Sequence, residues 1–93
     1  MDFLELFNEL SKVAKPAASE FKVLESKTDS LVESGLDSLD ILMICIFLCE
    51  IYGIPEEIGK ELKPTTVQEA EDFVVQHKTK EPTSVEEAVS LVK

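Results

Sequence analysis

Ser38 stands between two carboxylates, in Gly35-Leu36-Asp37-Ser38-Leu39-Asp40, at the head of an apolar run that ends at Tyr52-Gly53. If that run is a helix, the hydroxyl lies where backbone N–H groups are unpaired and the helix carries partial positive charge. Those groups would receive a phosphate esterified to the side chain. Catalysis by a nucleophilic serine needs a base within hydrogen-bond reach. His77 is the only histidine; it falls late in the chain and is read as solvated. None of the seven other serines opens an apolar helix behind a Gly-Leu-Asp approach, and Ser34, the nearest, is read as loop. The pattern describes a chemical handle, and the chain is not read as an enzyme.

Charge around the handle has one sign. From Thr28 to Gly59 there are seven acids (Asp29, Glu33, Asp37, Asp40, Glu50, Glu56 and Glu57), and all nine lysines lie outside that window. A solvated helix face ordinarily mixes signs. An acidic window centred on Ser38 therefore suggests a field that steers basic protein surfaces toward it. The formal net charge of −10 and the absence of arginine remove the terms on which nucleic-acid binding depends. No nucleic-acid partner is expected. Asp37 and Asp40 also have a structural reading, as helix cap and first-turn acid, and the two roles are compatible.

Cys45 and Cys49 lie four apart in the apolar run, a poor spacing for a disulfide on one helix, and no histidine accompanies them as a zinc set requires. They are read as reduced packing residues. The longest uninterrupted apolar stretch, Ile41 to Cys49, is too short to span a bilayer, and Asp2 and Glu5 stand where a signal peptide would carry basic residues. A cytoplasmic monomer with no membrane span is expected. Ninety-three residues make one domain, able to bury about 60–70 % of its unfolded surface.

The elements that must position these groups follow from periodicity and punctuation. Phe3, Phe7, Leu10 and Ala14 form one stripe, with Leu4, Leu6 and Val13 beside it and Glu5, Glu9, Lys12 and Lys15 opposite. This is an amphipathic helix, capped by Asp2 and ended by Pro16. Residues 17–37 read as a long ordered loop, with a helical turn near Ser19–Leu24 and anchors at Leu31 and Val32. The second helix runs from Ser38 to Tyr52, with Asp37 as N-cap and Gly53 as stop. Its Ile-rich composition leaves a buried strand as the alternative. Ile54-Pro55-Glu56-Glu57 opens a short third helix that fades by Leu62-Lys63, and Pro64-Thr65-Thr66-Val67-Gln68-Glu69 a fourth, with Val67, Ala70, Phe73 and Val74 inward. Pro64–Ala70 recurs eighteen residues later as Pro82-Thr83-Ser84-Val85-Glu86-Glu87-Ala88, which predicts a fifth, C-terminal helix with similar capping. The pattern leaves open whether that helix docks.

Three landmarks in order resemble the acyl carrier protein family: Gly35-Leu36-Asp37-Ser38-Leu39-Asp40, then Glu50-Ile51-Tyr52-Gly53-Ile54-Pro55, then Pro64-Thr65-Thr66-Val67-Gln68-Glu69-Ala70. The resemblance covers about residues 2–78. It implies an all-α, four-helix acyl-carrier-like bundle; with the long first loop and the tail helix read from the repeat, the chain is expected to hold a carrier domain over 1–79 and a helical extension of the same domain over 80–93. It also implies that Ser38 receives a 4′-phosphopantetheine arm from coenzyme A, whose thiol holds acyl groups as thioesters. Phosphopantetheinyl transferase is then one partner, meeting Asp37 and Asp40 with basic residues and a divalent metal. Acyl-transferring, condensing or ligase enzymes with basic or apolar docking surfaces are the others, recognising Asp37, Leu39, Asp40, Leu42, Met43, Ile46, Cys49 and Glu50.

The chain departs from that family's pattern in its second helix. Met43 and Cys49 replace glutamates common there, which leaves Glu50 the only acid after Asp40 in that helix. Either the partner face is unusually apolar, or the extra apolar sides are buried, for example by the tail helix. The approach loop is about one residue shorter than in housekeeping fatty-acid carriers. With the tail helix, this leans toward a specialised carrier in a polyketide, hybrid-peptide or unusual-lipid pathway. Asp37, where peptidyl carriers more often have histidine, favours acyl cargo. The alternative function is an unmodified helical interaction module that docks through the apolar second helix.

Overall fold

The first apolar stripe forms helix α1 (Phe3–Ala14), with Asp2 Oδ1 accepting from the Leu4 amide at 3.0 Å. Phe3, Leu6, Phe7 and Leu10 are buried along it. The computed structural model describes residues 2–14 and 23–92. Lys15, Pro16, Phe21 and most of the turn expected over Ser19–Leu24 lie outside the described residues, and Val23–Glu25 is not helical.

Two polar residues on α1 are buried, and one of them organises the loop that follows. Asn8 Nδ2 donates to the Leu24 carbonyl at 3.0 Å, and its Oδ1 accepts from the Leu24 amide at 2.9 Å. The side chain thus mimics a strand partner and satisfies both backbone groups of a buried leucine. Ser11 returns its proton to the Phe7 carbonyl one turn back. Farther on, Leu24, Leu31 and Leu36 are buried whereas Val32 is 69 % exposed, so Leu31 and not Val32 anchors the loop. Leu31–Gly35 turns tightly, which points the valine outward as the chain reverses.

Residues 38–52 form one continuous helix, α2 (Ser38–Tyr52), which overturns the strand alternative. Fifteen residues without an internal breaker, between an aspartate cap and a glycine stop, outweigh the β-branched content. A short α3 (Glu56–Gly59) follows, with Pro55 just ahead of it and two acids in its first turn. α4 (Val67–His77) is capped by Thr66, whose hydroxyl accepts from the Glu69 amide at 3.3 Å. Glu69 reaches back to the Thr65 amide at 2.8 Å and Thr65 Oγ1 at 3.0 Å, one residue before the cap. That pairing holds its carboxyl below the usual range, chiefly through the Thr65 amide.

The repeated motif repeats this chemistry at α5 (Val85–Val92). Ser84 Oγ accepts from the Glu87 amide at 3.1 Å, and Thr83 hydrogen-bonds the Glu87 carboxylate, as Thr65 does with Glu69. The tail helix docks. It packs against α1 and α2, with Ala88 fully buried and Val85, Val89 and Val92 against the core. A methyl-sized residue at the contact lets the helices approach closely. The described residues thus form a compact, mostly helical fold of five helices and no strand beyond one isolated bridge between Ser30 and Thr66.

Candidate functional site at the head of α2

Two anchors deliver the Ser38 approach to its place. The loop is tied to the start of α4 by Leu31 N–H to the Thr65 carbonyl (3.0 Å) and Gln68 N–H to the Lys27 carbonyl (2.8 Å). Lys27 also pairs with Glu71 at 2.8 Å. Ser34, buried in the turn, donates to the Leu31 carbonyl at 2.6 Å, so it is committed to the loop's own structure. Gly35 takes φ 99°, a conformation that L side chains rarely adopt, and carries the chain into Leu36 and the cap.

At the head of α2 the two aspartates close a reciprocal capping box. Asp37 Oδ1 accepts from the Asp40 amide at 2.8 Å, and Asp40 Oδ2 accepts from the Asp37 amide at 3.2 Å. Glutamate usually supplies the second half of this motif; here aspartate does so. Ser38 is the first helical residue and is exposed. Its own amide and that of Leu39 precede the first intrahelical bond, which runs from Ile41 N–H to the Asp37 carbonyl at 3.0 Å. A reachable hydroxyl thus sits beside the first two amides of the helix, inside a frame of two carboxylates. Each carboxylate fixes the other's backbone, so the frame is pre-set before any partner arrives.

Down α2 from this head, Leu39, Leu42, Met43 and Ile46 are 65, 55, 38 and 54 % exposed. Their spacing places them on one side, and the opposite side carries Ile44, Leu48 and Ile51 into the core. Of the two arrangements open from sequence, α5 does not bury this stripe; it covers a different part of α1 and α2. The stripe borders a groove of about 460 Å³ between α2 and α3, lined by Leu42, Ile46, Cys49, Ile54 and Gly59, with Glu50, Glu56 and Lys60 also along its lining. Gly59 makes the groove's tight end: a Cβ there would lie 2.6 Å from Cys49 Sγ.

Both cysteines are free and line this groove. Burial pushes the Cys45 thiol up to about 12 from its ordinary 9.0, with Cys49 adding to the shift. Cys49 is half-buried and is also raised by burial. Both are thus held as neutral thiols at physiological pH, poor nucleophiles and poor metal ligands. Glu50 is exposed at the lower end of the stripe. His77, expected in solvent, is half-buried with its ring 4.5 Å from that of Phe73. The structure therefore brings Asp37, Ser38, Leu39 and Asp40 together at one helix end, and continues Leu42, Met43, Ile46, Cys49 and Glu50 down one side.

Family models, curated proteins and solved structures were compared with the chain, and none matches it. Among the described residues no helix is long and apolar enough to cross a membrane.

Proposed function

We propose that this chain is a carrier: Ser38 receives a 4′-phosphopantetheine arm from coenzyme A, and the arm's thiol holds acyl intermediates as thioesters between biosynthetic enzymes. The observation that carries the reading is the exposed Ser38 hydroxyl, first in an apolar helix and enclosed by the Asp37–Asp40 capping box. Attachment joins the serine oxygen to the phosphorus of coenzyme A and releases the adenosine bisphosphate half, with the serine proton passing to the transferase. This chain contributes no base to that step. It offers the hydroxyl and the helix-end donors that favour the resulting phosphodiester. Asp37 and Asp40 oppose the phosphate by like charge, a cost that makes sense if they serve to meet the transferase's basic residues and divalent metal. On this reading α1 to α4 form the acyl-carrier-like bundle and α5 is an addition. The groove that begins one turn below Ser38, at Leu42, offers an apolar cargo a place to lie.

Incubation with coenzyme A and a broad-specificity phosphopantetheinyl transferase, read by intact mass, tests the proposal. One added arm on the wild-type chain and none on Ser38→Ala supports it. No arm, or an arm retained by Ser38→Ala, overturns it. The exposed stripe on α2 favours a second reading, an unmodified interaction module, because that face needs no arm to bind a partner. The second reading predicts partner binding that Ser38→Ala leaves unchanged.

A further inference from the structure

At the far end of α2 from Ser38, the start of α1, the end of α4 and the segment leading into α5 enclose a cavity of about 210 Å³. That segment builds one wall with Glu81, Pro82 and Thr83, and Tyr52 lines the cavity from α2. Tyr52 is only 4 % exposed. Among the described residues no group hydrogen-bonds its hydroxyl, and no fully enclosed polar side-chain atom lacks a partner. The hydroxyl is therefore open, and it opens onto the cavity that its ring lines. Burial, then the charges of Glu81 and Glu71 on the cavity wall, push it up to about 12, so it stays a neutral donor. An O–H buried without an acceptor costs stability. A tyrosine here, where a phenylalanine would fill the same space, calls for an acceptor from outside the chain.

Charge on the wall has both signs. Lys78 pairs with Oε1 of Glu81, which leaves Oε2 without a hydrogen bond among the described residues. Glu71 is paired with Lys27 at 2.8 Å. A simple anion would meet two carboxylates, and a simple cation would meet the Lys78 ammonium. A divalent metal would find only those two carboxylates, each already paired with a lysine. A zwitterion uses both signs: its carboxylate accepts from the Tyr52 hydroxyl and Lys78, and its ammonium donates to Glu81 and Glu71. Phe3, Val74 and Pro82 give the same cavity an apolar side. Its volume is below that of pockets for drug-sized ligands, which limits the occupant to a few carbons. We propose that this cavity binds a free α-amino acid with a short aliphatic side chain. Such a ligand touches α1, α2, α4 and the segment before α5 at once, so its binding fastens the tail to the bundle. Ser38 lies fourteen residues away, about 21 Å along the helix axis, and the inference does not rest on the carrier reading.

The test uses the full-length, unmodified chain, with L-valine as the probe and amide chemical shifts as the readout. Two controls each keep half of the zwitterion: isovalerate lacks the ammonium, and isobutylamine lacks the carboxylate. L-valine should give saturable shifts in the millimolar range, centred on residues 52, 71–75 and 78–83, and should raise the melting temperature by several degrees at saturation. Both controls should bind at least about 10-fold more weakly, each having lost one set of charged hydrogen bonds. Tyr52→Phe should weaken L-valine about 10-fold and yet melt no lower than wild type, because the hydroxyl it removes has no partner in the fold. Lys78→Gln, at an exposed position, should weaken it by about 10-fold with an unchanged circular dichroism spectrum. No saturable shift, shifts centred elsewhere, full affinity from either control, or full affinity in either variant would overturn the proposal. So would a Tyr52→Phe chain that melts well below wild type, because the hydroxyl would then serve the fold.

Discussion

Asp37 has two separable jobs, and a pair of substitutions pulls them apart. Asp37→Asn keeps a side-chain oxygen able to cap α2 and removes the charge; Asp37→Ala removes both. In the structure the cap is the 2.8 Å bond from the Asp40 amide, at an exposed helix end. Its loss should cost about 1 kcal/mol, within a range of roughly 0.5–2. For a domain of this size that lowers the melting temperature by about 4–8 °C. Asp37→Asn should melt within about 2 °C of wild type. The charge is tested separately, by the rate of arm attachment. A carboxylate meeting a basic group at about 4 Å is worth about 1 kcal/mol in water, and more as the interface excludes solvent. Both variants should therefore be modified roughly 5- to 30-fold more slowly at low salt, and the gap should close toward 1 M salt, where screening acts within about 3 Å. Stopped-time intact-mass measurements at two salt concentrations supply the rates, and thermal melts monitored by circular dichroism supply the stabilities. If Asp37→Asn is modified at the wild-type rate in low salt, the steering role fails. If Asp37→Ala melts with Asp37→Asn, the capping argument fails instead.

Other perturbations probe the scaffold that holds this site. Gly53 ends α2 at φ 64°, and a Cβ there would fall 2.3 Å from Thr79 Oγ1, which donates to the Gly53 carbonyl at 2.7 Å. Gly53→Ala should cost about 2–3 kcal/mol from left-handed strain plus the displaced hydroxyl, lowering the melting temperature by roughly 10–20 °C; adding Thr79→Ala should recover part of that loss. Ala88→Asp puts an unpaired charge where α5 meets α1 and α2 and should cost at least about 3 kcal/mol in urea unfolding, whereas Glu86→Gln on the exposed side should be nearly silent. Cys45 and Cys49 should alkylate slowly at pH 7.5 in the folded chain, Cys49 first because it is less buried, with mass spectrometry after a timed quench as the readout. The same burial predicts an alkaline limit. Folding raises the Cys45 thiol from 9.0 to about 12 and the Tyr52 hydroxyl from 10.0 to about 12, so the native state holds protons that the unfolded chain releases. Their contribution is present below about pH 9 and is lost as pH rises toward 12, which urea midpoints across that window should trace.

How far the sequence spoke depends on whether a feature is local. The bounds of α2 were legible because Asp37 and Gly53 act through their own neighbours: one accepts from the third amide onward, the other adopts a left-handed turn. The exposed apolar stripe could be suspected from Met43 and Cys49, but not decided, since exposure depends on where α5 lies. Asn8 was invisible as an anchor because its partner is Leu24, sixteen residues away, and only its place near an apolar stripe hinted at burial. Val32 was misplaced because a tight turn, not hydrophobicity, sets its direction.

α5 is the instructive case. Its start was readable from the repeat of Pro64–Ala70, and its docking was not, since Val85, Ala88, Val89 and Val92 offer only a narrow stripe. Two features outside the helix decide the matter. Thr79 and Lys80 amides both donate to the Tyr52 carbonyl, at 2.9 and 3.2 Å, which roots the tail at the end of α2. Ala88 then lets α5 lie close against α1 and α2. The tail is thereby drawn to a part of the bundle away from the stripe on α2. An acidic chain that has a spare helix, and uses it elsewhere, leaves Leu39 to Ile46 open to water at a cost of about 25 cal/mol per Å² of unburied apolar surface. A partner that covered the face would recover that cost, whereas the acids around it, already in water, would gain far less from being covered.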